Sequence, residues 1–173
     1  MKRSGLVILL ALVSLLSACA ATRAEEDARP ETGELSLSLE GAEERLPVNL
    51  WQGEGFSVYL PAEGWDRDEE NIWRPEEQTE VGFFVKTYEE TDDQELWQRL
   101  ALDFASYGFL PPENDVCVGY DAVNAMTMWV KLTAEDGVCY AVCAQYPTES
   151  SGDYGACLQQ LAETFEVDTA AQA

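Results

Sequence analysis

The side chains in this sequence able to bind or react are five cysteines and thirty-three carboxylates, and there is no histidine among them. Without histidine, Ser-His-Asp and Cys-His relays have no base, and histidine-ligated metal centres are excluded. A catalytic thiol at Cys117, Cys139, Cys143 or Cys157 has no imidazole to take its proton. Zinc is disfavoured too, because no Cys-x-x-Cys pair exists. Gly-x-Ser-x-Gly, a phosphate-cradling glycine loop and a dinucleotide fingerprint are likewise missing. What remains is carboxylate chemistry: a pair that protonates and attacks a glycosidic bond, or a cluster of oxygens around a hard cation.

One stretch has the spacing for a cation. In DRDEENIWRPEE, Asp66, Asp68, Glu70, the Ile72 carbonyl, Arg74 and Glu77 occupy positions 1, 3, 5, 7, 9 and 12 of a calcium-loop pattern. The likeness to an EF-hand loop is partial. Asn71 stands where glycine makes the sharp turn, Arg74 puts a cation at a liganding position, and helical flanks are missing. A solvated acidic turn between Trp65 and Trp73 is the expectation, with Asp66, Asp68, Glu70 and Glu77 as weak candidates only. No metal and no cofactor are expected.

The elements that must position these groups can be read from periodicity. GFSVYLP and EVGFFVKTYEE read as strands, the second alternating Val81, Phe83 and Val85 with Phe84 and Lys86. In TDDQELWQRLALDFASYG, Thr91 and Gln94 fit a capping box, and Asp92 and Asp93 suit the positive end of the dipole. Leu96, Trp97, Leu100 and Phe104 then make one apolar helix face, and Gly108 with Pro111 ends it. Strands follow over Val116 to Tyr120, Val123 to Thr133 and Val138 to Tyr146, the last two joined by Asp136-Gly137 as a hairpin. A closing helix from about Asp153 to Phe165 puts Tyr154, Leu158, Leu161 and Phe165 on one side.

This order predicts an α+β domain over residues 48–168, an antiparallel sheet of five to six strands with two packed helices. Its length and apolar content suffice for one core. Residues 169–173 are expected to be a disordered tail. Upstream, residues 19–47 are rich in charge and small side chains and read as a flexible acidic tether, with a coil span of roughly 30 Å. Within it ELSLSLE alternates Leu35, Leu37 and Leu39, so an added edge strand is the other reading.

On a strand from Val138 to Tyr146, Cys139 and Cys143 share a face about 13 Å apart, too far to bond each other. The Asp136-Gly137 turn sets Val130 opposite Cys143, so that face also carries Met128, Val130 and Leu132. Cys157 lies beside the apolar stripe of the last helix, which makes a bridge from Cys157 to Cys139 or Cys143 the candidate disulfide. Buried free thiols are the alternative. Of the five tryptophans, Trp97 and Trp129 belong to the packed faces of a helix and a strand. Trp51, Trp65 and Trp73 lie nearer loops and are the candidates for an exposed binding surface.

The first eighteen residues run from Lys2 and Arg3 through an apolar Gly5 to Leu16 into Ser17 and Ala18, the order of a signal peptide. About a dozen apolar residues fall short of the roughly 20 that span a bilayer. Leu16-Ser17-Ala18-Cys19 resembles the lipobox of bacterial lipoproteins. That resemblance implies diacylglyceryl transfer to the Cys19 sulfur, cleavage before it, and attachment to the extracytoplasmic face of the bacterial cell membrane. Two acyl chains hold stably where one does not. An ordinary secretory signal cut after Ala20 is the rival reading.

The segment YAVCAQYPTESSGDYGACLQQLAETFEV, a strand passing through Tyr-Pro into a terminal helix, resembles the end of the small domains grouped as Mog1/PsbP-like. The resemblance implies a non-enzymatic accessory or interaction module and transfers no site residue. The charge agrees with such a role: loss of the two cations Lys2 and Arg3 takes the formal charge from −23 to −25. So negative a chain repels a phosphate backbone, so nucleic acid is not a partner, and a basic envelope protein would be attracted. The sequence therefore reads as a monomeric, lipid-anchored, non-catalytic binding module. A carboxylate-based hydrolase of envelope glycans is the alternative.

Overall fold

The computed structural model describes residues 29–39, 42–89, 93–135 and 137–168. The leader, Cys19, the tether up to residue 28, the Thr91 cap, Asp136 and the tail 169–173 lie outside the described residues. The chain divides after Glu31, and the fold is that of the unit beginning at Thr32.

Among the described residues eleven strands form two antiparallel sheets, in place of the one sheet of five to six strands expected. The smaller sheet has four strands: β1 (Thr32–Leu39), β2 (Ala42–Gln52), β3 (Phe56–Pro61) and β11 (Glu166–Val167), in the order β1-β2-β3-β11. The larger has seven: β4 (Trp65–Arg67), β5 (Trp73–Pro75), β6 (Gly82–Glu89), β7 (Gly108–Phe109), β8 (Val116–Asp121), β9 (Met126–Glu135) and β10 (Val138–Pro147). Their order is β4-β5-β6-β10-β9-β8-β7. Helix α1 spans Asp93–Asp103, and α2 (Ala156–Ala162) follows a π-helical turn at Ser151–Gly155.

The first correction concerns residues 32–47, which are not tether. β1 and β2 form a hairpin in which Leu35 faces Leu46, and β2 goes on to pair with β3 through Val48 and Pro61. The leucine alternation outweighs the polar composition because one side of the hairpin has a core to cover: Leu35 and Leu46 both pack against buried residues. The domain therefore starts at least sixteen residues before Val48. A second correction is local. β9 begins at Met126 and not at Val123, because the Asp121 carboxylate accepts the N–H groups of Val123 (3.0 Å) and Asn124 (3.1 Å) and closes a turn there.

Alternation places the large sheet between two apolar layers. On one face Phe83, Trp129, Tyr140, Val142, Ala144 and Tyr146 meet Val48, Phe56, Val58 and Leu60 of the small sheet and Leu158 and Leu161 of α2. On the other, Phe84, Met128, Val130, Ala141 and Cys143 meet Leu100 of α1, with Trp97 and Phe104 alongside. The β9–β10 hairpin has the register expected from its turn, Cys143 opposite Val130, and Gly137 takes φ 82° there. Gly53 shows how tightly the small sheet's turn is built: a Cβ there would run into the Phe56 ring.

Candidate functional site

A groove of about 630 Å³ lies between α1 and the large sheet. Leu96 and Trp97 of α1 form one wall, Leu132 to Ala134 of β9 and Cys139 of β10 form another, and Pro112, Asn114 and Asp115 close the end. The helix presents Leu96 and Trp97 there because its next-turn neighbour Leu100 is fully buried and fixes its rotation. Trp97 is steadied in turn by an edge-on contact with Phe109, ring centroids 5.6 Å apart.

The closing end is held in an uncommon backbone conformation. Asn114 (φ 49°) and Asp115 (φ 64°) are both left-handed, which Asn and Asp tolerate better than other side chains. Such positions cost of the order of 1–3 kcal/mol and persist only where the surroundings enforce them. Here the Leu132 N–H donates to the Asp115 carbonyl (2.8 Å), and Glu113 and Val116 exchange hydrogen bonds of 2.9 and 3.0 Å.

At the other end of α1, Asp103 accepts from Lys86 Nζ (2.6 Å) and from the Tyr88 hydroxyl (2.9 Å). The Lys86 ammonium holds the Asp103 carboxyl below the usual carboxylate range, against desolvation, and the Tyr88 hydroxyl adds to the lowering. Burial, then Asp103 itself, raises Tyr88 well above its ordinary value. Asp103 and Tyr88 therefore keep their neutral-pH forms. They act as a clamp between β6 and the helix, with Lys86 compensating a carboxylate placed at the helix's negative end.

The acidic turn is a structural device as well. Asp68 Oδ1 accepts the N–H groups of Glu70 and Ile72 (2.9 Å each), and Oδ2 accepts Arg74 Nε at 3.0 Å. Asn71 adopts φ 63° at the bend. Asp66 lies on β4 opposite Arg74, while Glu70 and Glu77 are exposed, so the four candidate carboxylates do not converge. Among the described residues no group of three or more acidic or cysteine side chains could hold a metal.

The Ile72 N–H, with Arg74 and Glu70, lowers the Asp68 pKa from its ordinary 3.8 despite partial desolvation. A depressed folded-state pKa gives stability that is present above the unfolded value and lost as pH falls through the folded one. Asp68→Asn is therefore expected to lower Tm at neutral pH and to show a smaller further fall below about pH 4 than the wild type. Thermal melts between pH 2 and 7 check this. Parallel curves for the two proteins would contradict it.

The cysteine expectation fails on geometry. Cys143 belongs to the layer beneath α1, and Cys139, two positions of alternation away, shares its face. Cys157 packs on the opposite face of the sheet with α2. The sheet thus stands between Cys157 and either expected partner, and Cys157 and Cys143 carry free thiols. Cys117 and Cys143 both face Val130, two strand spacings or roughly 9.6 Å apart, beyond disulfide reach. Burial pushes the Cys117 and Cys157 thiols up to about 11 and raises Cys143 further.

Trp51, Trp65 and Trp73 are half-buried and packed against the core instead of standing free on a surface. Trp51 of β2 and Trp73 of β5 make a T-shaped contact at 6.1 Å, and Trp65 lies opposite Pro75 on the β4–β5 ladder. The Trp73 indole N–H is buried without an acceptor. Arg67, which the sequence reading passed over, lies 4.9 Å from the Trp51 ring and 5.9 Å from that of Trp73. The available signal was the Trp65-Asp66-Arg67 alternation, which puts the guanidinium on the tryptophan's side of the strand.

No helix among the described residues is long and apolar enough to cross a membrane. No protein-family model matches the chain, and no curated protein does. Among solved structures it is similar to the solution structure of cyanobacterial PsbP (CyanoP) from Synechocystis sp. PCC 6803, at 10% identity and a TM-score of 0.46, covering 69% of this chain and 92% of that one. At that TM-score the likeness is a loose one, and nothing about a ligand or partner of this chain follows from it.

Proposed function

We propose that this chain is a lipid-anchored, non-catalytic binding module on the extracytoplasmic face of the bacterial cell membrane, taking its ligand in the groove beneath α1. The lining of that groove carries the reading. Its walls are built from Leu96, Trp97, Pro112 and Leu132, with Asp115 as the one carboxylate among the described lining residues. Ligand clefts have this make-up, mostly apolar with a few placed polar groups. A glycosidase needs two carboxyls across the scissile bond, roughly 5–10 Å apart, so the envelope glycan hydrolase is the weaker alternative. Lys131, also at the groove, is committed to Glu163 at 2.7 Å.

Anchoring rests on Leu16-Ser17-Ala18-Cys19. Cys19→Ala is expected to abolish lipid attachment and cleavage at that site, moving the protein from the detergent phase to the aqueous phase on partitioning. Unchanged partitioning of the variant would refute the anchor. For the binding half, the mature chain should capture an envelope protein on a column, and Ala134→Arg, which would fill the groove from an exposed position, should remove that capture. Release of reducing sugar from envelope glycans by the wild type would replace binding with hydrolysis.

A further inference from the structure

We propose that Arg67, held over Trp51 and Trp73, is the anchor of a second binding site whose ligand presents a carboxylate. The site lies on the opposite face of the large sheet from the groove, because Trp51 and Trp73 pack against the core layer shared with the small sheet. It is independent of the groove reading.

The argument begins with scarcity. The chain has 10 basic residues against 33 acidic ones, so a guanidinium has carboxylates available in every direction. Arg45, Arg74, Lys86, Arg99 and Lys131 each take one, as Glu34, Asp68, Asp103, Glu95 and Glu163 respectively. Arg67 takes none among the described residues. Its sequence neighbours are both acidic, yet Asp68 is spent on Arg74, and Asp66 alternates to the other side of β4. The Arg67 side chain lies instead on the two indoles, within the 6 Å range of cation–π attraction.

A guanidinium that lies against aromatic rings, and not on a carboxylate, keeps its N–H donors for a partner. Those donors form a planar fork that fits a carboxylate with two parallel hydrogen bonds. Both supporting rings are anchored in the core, Trp51 also against Phe56 at 5.3 Å, so the fork is oriented before a ligand arrives. The surrounding acidity selects among anions. At long range the net charge of the chain opposes an anion in proportion to its charge, about half as strongly for a monoanionic carboxylate as for a dianionic phosphate. The adjoining indole faces add contact for an apolar or planar body next to the carboxylate.

The test uses the full mature chain and NMR of the Arg67 Nε–H and the tryptophan indole N–H resonances. Benzoate represents a small aromatic acid, acetyl-Ala-Ala a peptide carboxylate, and benzamide and the peptide amide are the neutral counterparts. We expect saturable shifts at Arg67 and Trp51 with the carboxylates, none with the amides, and weaker response to inorganic phosphate at equal concentration. Tighter binding of benzoate identifies a small acid as the source, and tighter binding of the peptide a chain terminus. Arg67→Gln, at an exposed position, should keep the wild-type Tm and lose the response. Arg67→Lys keeps the charge without the fork and should weaken binding about tenfold. Equal shifts with acids and amides, a response that survives Arg67→Gln, phosphate binding as well as carboxylate, or no saturation would each overturn the proposal.

Discussion

Replacing Phe83 with alanine is expected to destabilise the domain by about 3–5 kcal/mol, the range for deleting a fully buried aromatic ring. Phe83 is 1% exposed and stands where the layers meet. On β6 it faces Ala144 of β10 and Trp73 of β5, and its ring belongs to the layer shared with the small sheet and α2. Its neighbours are themselves held by two sheets, so they cannot collapse far into the space left behind, which places the loss toward the upper end. In urea the midpoint should fall by roughly 2 M, given a slope of about 1–3 kcal/mol/M. Val123→Ala is the control, since that side chain is 93% exposed in the β8–β9 turn and should leave the midpoint within about 0.5 kcal/mol of wild type. A loss below about 1 kcal/mol for Phe83→Ala would mean that the two sheets do not pack as described.

The thiols should be close to inert in the native protein. Cys117 and Cys143 are fully buried, so reagents reach them through unfolding, and alkylation should be slowed by about 10³-fold or more relative to the chain in urea. Cys157 is half-buried and should react first. Even there, a pKa pushed up to about 11 leaves a thiolate fraction of about 10⁻³ at pH 8, so its rate should climb steeply as pH rises toward 10. Mass-resolved labelling against time gives the order. Oxidation of the native protein followed by non-reducing peptide mapping should give no bond between Cys157 and Cys139 or Cys143. Finding one would mean that α2 does not lie on the face described.

The sequence was most legible where pattern and turn chemistry agree. Asp136-Gly137 with alternation on both sides predicted the pairing of Cys143 with Val130, and the spacing of Leu96, Trp97, Leu100 and Phe104 predicted the buried face of α1. The β1–β2 hairpin was obscured because charge and small residues lower the mean hydropathy of a segment that has only one face to bury. β4 and β5 have three residues each, too few for a period to show, so the tryptophans they carry read as loop residues. The division into two sheets left no trace either, since β3 and β6 alternate alike whichever partner they meet. That gap also misplaced Cys157: its position beside an apolar helix stripe is correct, but which face of which sheet the helix covers is a tertiary fact.

The strand order has a bearing on self-association. A sheet edge offers unpaired N–H and C=O groups to any extended chain, and long flat edges template fibrils. Both edges of the large sheet, β4 and β7, and one edge of the small sheet, β11, are only two or three residues long. Three of the four exits for polymerisation are thus blunted by brevity. The fourth is β1, eight residues long and alternating leucine with serine. A ladder growing from there would meet Glu34 and a formal charge of −23 per full chain, which oppose stacking. At high salt, where that repulsion is screened, β1 is the strand to watch for gelation.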